Sequence, residues 1–70
     1  MSFQAYLDAV KAKTGLTPEG ILALAKERGV YSPSMTATQL INFLKDEFDL
    51  GRGHSMSIWA VFKANSWVKG

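Results

Sequence analysis

The sequence predicts an all-α fold, a compact bundle of four short helices over about residues 3–14, 18–28, 37–48 and 54–65 with short loops. Three observations predict it. Apolar residues recur at the i, i+3, i+4, i+7 spacing of a single helical face in four stretches. Gly and Pro punctuate the boundaries between those stretches. No segment alternates apolar and polar residues as a half-buried strand does.

The first helix starts from Ser2 as N-cap and puts Phe3, Tyr6, Leu7 and Val10 on one face. Lys11 and Lys13 fall in its last turn, where cations suit the helix dipole, and Gly15 supplies a left-handed ending. The second has Thr17 as N-cap, Pro18 at the first helical position and Glu19 in the first turn, with Ile21, Leu22, Leu24 and Ala25 as the buried side and Gly29 as terminator. Gly20 is a mild misfit there, since glycine gives up about 1 kcal/mol of helix propensity relative to Ala.

Residues 30–35 read as a linker around Pro33, with Val30, Tyr31 and Met35 turned into the core. Thr36 and Gln39 form a capping box, and Leu40, Ile41, Phe43, Leu44 and Phe48 make the apolar stripe of the third helix. Leu50 to Ser55 read as a tight turn before a last helix bearing Met56, Ile58, Trp59, Val61 and Phe62. Its apolar positions exceed the usual stripe, so it is either the central helix or one with a second partner surface. Residues 66–70 are expected to fray, leaving Trp67 either folded back or exposed.

Seventy residues leave room for one domain, 1–70, and 47% hydrophobic residues rule out disorder. Without Cys there is no disulfide framework and no thiolate metal site, which fits a reducing compartment. No apolar run nears the roughly 20 residues that span a bilayer, and the first residues lack signal-peptide character, so a cytoplasmic location without membrane contact is expected. The sequence pI of 9.2 overstates the charge, which is only +2. Residues 1–50 carry five basic and six acidic groups, a net of −1, whereas residues 51–70 carry Arg52, Lys63 and Lys69 and no acid, a net of +3. Three charges make a thin footprint for nucleic acid.

Few residues offer chemistry. His54, the single histidine, reads either as a general base or anion-binding group, or as a cap bonded to the preceding turn. Ser55, Ser57 and upstream carboxylates lie near it in sequence, but no nucleophile elbow surrounds them, so the chain reads as a non-enzyme. No ligand set for zinc or calcium exists, and no metal or other cofactor is expected. Gly51-Arg52-Gly53 fails both the dinucleotide fingerprint and the P-loop. It keeps a faint likeness to a helix–hairpin–helix element, in which backbone amides meet a DNA phosphate. Trp59, Phe62 and Trp67 read either as core filling or as a protein-binding face.

Phe3-Gln4-Ala5-Tyr6-Leu7, Lys13-Thr14-Gly15, Thr17-Pro18-Glu19, Leu24-Ala25-Lys26 and Leu50-Gly51-Arg52-Gly53-His54-Ser55-Met56, in that order, resemble a small bacterial family catalogued as domain of unknown function 4287. The likeness covers about residues 2–63, and the family turn matches Gly51, Gly53 and His54. It implies a helical module, alone or fused to other small domains, and no assigned activity; the tail from Ala64 to Gly70 lies beyond it. The functional expectation is a non-enzymatic binding or protein-interaction module, its contact surface formed by Gly51, Arg52, Gly53, His54, Trp59, Lys63 and Trp67. A protein partner or self-association would occupy that surface. The alternative is weak, sequence-independent nucleic-acid binding through the 51–54 turn and the helix after it.

Overall fold

A computed structural model describes residues 3–69. It contains α1 (Phe3–Thr14), α2 (Pro18–Glu27), α3 (Ala37–Phe48) and α4 (Arg52–Ala64), with no strand among the described residues. Two of the four helices have the expected bounds, and α2 ends one residue early, at Glu27, with Arg28 as its C-cap. The expected N-cap Ser2 lies outside the described residues.

The local signals act as their chemistry requires. Thr17 Oγ1 accepts from the Gly20 amide at 3.3 Å, with Pro18 opening α2. Thr36 Oγ1 accepts from the Gln39 amide at 3.3 Å while Gln39 Oε1 accepts from the Thr36 amide at 2.9 Å, so α3 opens on a complete capping box. Gly29, at φ +75°, ends α2 with two characteristic bonds, from the Val30 amide to the Ala25 carbonyl at 3.0 Å and from its own amide to the Lys26 carbonyl at 3.2 Å.

Helix α4 starts at Arg52, two residues before the expected position, and the tight turn expected over 50–55 is shorter and lies upstream. Asp49, not a glycine, takes the left-handed conformation at φ 52° that ends α3, its amide bonded to the Lys45 carbonyl at 2.8 Å. Leu50 then drops into the core, and Gly51 caps α4 in an extended conformation, its carbonyl accepting from the Ser55 amide. Lys13 Nζ donates to the Asp49 carbonyl at 2.9 Å, tying the end of α1 to this corner.

The principal helix pairings all involve α4, which packs against α1, α2 and α3. This decides the alternative left open by its apolar excess: α4 is the central helix. Ile58 and Phe62 are fully buried and Trp59 is 7% exposed, so these positions face the three neighbours, whereas Met56 at the edge of the arc is 39% exposed and Val61 is half-buried. The radius of gyration is 10.8 Å, against about 11 Å for a folded chain of this length.

Three expectations are corrected. Phe3, one turn before the packed Tyr6, is 51% exposed. Val30 is 41% exposed, because the amide bond that closes α2 turns the chain at this residue while Met35, further on, enters the core. The tail is folded back through Lys69 rather than frayed; Gly70 lies outside the described residues. Ser66 adopts φ 57°, so the Trp67 amide reaches the Phe62 carbonyl at 2.9 Å and the Ser66 amide the Lys63 carbonyl at 3.0 Å. The ring of Trp67 stands edge-on to Phe62 with centroids 5.2 Å apart, the apolar contact that accompanies this type of helix ending. Tyr31 Oη donates to the Trp67 carbonyl, the Lys69 amide donates to the Pro33 carbonyl at 2.8 Å, and Val68 is buried. Tail and linker thereby form a second layer over one side of α4.

Candidate functional site

The residues singled out from sequence do not form one surface. Gly51, Arg52, Gly53 and His54 lie at the start of α4, beside α1. Neither glycine has a positive φ, and Gly53 is an ordinary helical residue: a Cβ there would meet Tyr6 Cε1 at 3.7 Å, a normal contact. The phosphate-cradling turn of a helix–hairpin–helix is therefore not formed. His54 stacks edge-on against Tyr6, with ring centroids 5.1 Å apart, and its ring makes no capping hydrogen bond among the described residues. Its carbonyl accepts from Ser57 Oγ at 2.5 Å. Arg52 is exposed and without an ion-pair partner among the described residues. Gly51 brings no side-chain cap, and the first turn of α4 holds no acid.

Trp59 belongs elsewhere. It walls an open groove of about 410 Å³ together with Ser34, Met35, Thr36, Ala37 and Lys69. The elements that build this groove are the linker before α3, the first residues of α3, the middle of α4 and the docked tail. Trp59 is fixed by the packing of α4, and its indole N–H has no hydrogen-bond partner among the described residues. Trp67 is half-buried against Phe62, spent on holding the tail. Lys63 is exposed in the last turn of α4, where a cation suits the dipole.

Ser34, Met35, Thr36, Ala37 and Lys69 were not among the residues the sequence singled out. Met35 and Thr36 were visible there only as a core residue and a cap, and Lys69 only as a charge in a loose tail. Nothing local signals that residues 34–37 and 69 meet Trp59; the Lys69–Pro33 backbone bond that draws them together spans 36 residues.

A second, larger depression of about 700 Å³ separates the end of α2 from α3, lined by Arg28, Val30, Asn42, Phe43, Asp46 and Glu47 among others. Arg28 and Glu47 pair across it at 2.9 Å. Among the described residues no three His, Asp or Glu side chains gather as a metal site would require. Among the described residues no helix is long and apolar enough to cross a membrane.

No curated protein and no solved structure matches the chain. The family described as Domain of unknown function (DUF4287) matches residues 2–64, which takes in all four helices and stops where the docked tail begins. Three of the five motifs that mark the resemblance in sequence are ends and corners of this bundle, the other two lie within α1 and α2, and the chain belongs to the DUF4287 family.

Proposed function

We propose that the protein is a non-enzymatic binding module whose ligand face is the Trp59 groove. The observation that carries this reading is Trp59 itself. A large aromatic with an unpaired indole N–H forms the wall of an open, mostly apolar groove, and such residues dominate binding energy where one end of the ligand is apolar and the other polar. The bundle takes up Ile58, Trp59 and Phe62 from the broad apolar arc of α4, and of its large residues only Met56 is left exposed. Titration of the labelled protein with a pool of short peptides and small fragments, followed by proton–nitrogen correlation spectra, tests the assignment. Shifts should cluster at residues 34–37, the Trp59 indole and Lys69. Ala37→Arg, which puts a long side chain in the groove wall, should abolish them while the circular dichroism stays helical. Ligands whose shifts lie elsewhere, or which ignore Ala37→Arg, would remove the groove from the reading.

Nucleic-acid binding at the start of α4 is the second reading, favoured by the N–H groups of a helix start without a side-chain cap beside Arg52, which has no ion pair among the described residues. It requires binding to a DNA duplex that weakens steeply with salt and with Arg52→Ala. Absence of binding at low salt excludes it.

A further inference from the structure

We propose that the Trp59 groove recognises an acidic and apolar segment of a partner protein, an extended stretch in which a carboxylate side chain neighbours an aliphatic one. This rests on the groove being the ligand face and adds the chemistry of its ligand. The groove offers hydrogen-bond donors and positive charge on an apolar bed. Trp59 and Met35 are 7% and 3% exposed, and Ala37 beside them is half-buried, so these side chains give a rigid apolar surface. Among the described residues no carboxylate lines it, and Lys69, the one charged residue among them that does, is exposed and without an ion pair.

The start of α3 opens onto the same space through Thr36 and Ala37. The capping box occupies the Gln39 and Thr36 amides, which leaves the amides of Ala37 and Thr38 without a side-chain cap, and no acid stands in the first turn. The positive end of the α3 dipole and Lys69 therefore act on one volume, and both favour an anion. Lys69 and the start of α3 meet no negative charge among the described lining residues, and a carboxylate supplies it. The groove is open rather than enclosed, so it does not surround a small molecule as a cofactor pocket does. One or two side chains of an extended segment, with their backbone left in solvent, fit that shape.

Three acetylated, amidated hexapeptides test this: one alternating Glu and Leu, one alternating Gln and Leu, one alternating Lys and Leu. Each is titrated into the full chain while the Trp59 indole and the amides of residues 35–37 are followed. The Glu peptide should move these signals, bind at least about fivefold more tightly than the Gln peptide, and weaken as salt rises. Lys69→Glu, a surface change that leaves the core intact, should weaken the Glu peptide about fivefold or more and strengthen the Lys peptide. Equal binding of all three peptides at the groove overturns the charge assignment and leaves the binding reading standing. No response of the Trp59 indole to any of them at millimolar concentration overturns both.

Discussion

Ser55 is fully buried on α4, and its hydroxyl has no hydrogen-bond partner among the described residues. A buried donor left unmade costs about 1–3 kcal/mol, and serine is also a poorer helix former than alanine. Ser55→Ala should therefore raise stability by roughly 1 kcal/mol, read as a higher urea midpoint at unchanged slope. A destabilised variant would mean that the hydroxyl has found a partner. Ser66 argues in the same direction for a different reason. It is a non-glycine residue at φ 57°, where an L side chain crowds the following carbonyl. Ser66→Gly should gain about 0.5–1 kcal/mol, whereas Gly29→Ala, at φ +75°, should lose a similar amount. Equal effects of the two changes would contradict the left-handed assignments. His54 shows how far residue type alone carries: its place at a helix start was legible in sequence, but its partner Tyr6 lies on another helix, 48 positions away.

At the scale of elements, helix propensity and packing compete inside α2. Gly20 reads as a flaw in a helix, yet a Cβ there would approach Leu16 Cδ2 to 3.2 Å and Leu16 Cβ to 3.3 Å. Leu16 folds over the first turn and packs on the core, and the glycine makes room for it. Gly20→Ala should accordingly recover much less than the about 1 kcal/mol that the same change yields in an open helix. Thermal unfolding decides it; a full gain would show that Leu16 moves freely. The start of α4 teaches the complementary point. Two glycines in three residues suggest a turn, but a glycine is also tolerated as N-cap and, at modest cost, inside a helix. The turn went instead to Asp49, because the amide bond to Lys45 and the burial of Leu50 both close α3 at that residue.

For the whole molecule, the decisive feature is the tail. Trp67, the Tyr31 hydroxyl, Val68 and the Lys69 amide hold the last residues against the linker and complete the groove at Trp59. Trp67→Ala should cost about 2 kcal/mol, below the 3–5 of a fully buried aromatic since Trp67 is only half-buried. It should also release the Lys69 amide to exchange at the rate of an unfolded chain. Native-state hydrogen exchange reads both effects, and an unprotected Lys69 amide in the unaltered protein would mean that the tail frays.

By itself the sequence determined the four helices, their caps at Thr17, Thr36 and Gly29, and the family. These are local matters, set within a few residues by propensity, side-chain capping and periodicity. Tertiary structure alone decided that α4 is central, that Ile58, Trp59 and Phe62 of its apolar arc are internal while Met56 is exposed, that Gly53 is a helical residue and that Trp59 faces a groove while Trp67 locks a tail. Each of those depends on which distant residues meet. An apolar side chain carries the same pattern in sequence whether the helix beside it or a partner covers it, and only the packed chain distinguishes the two.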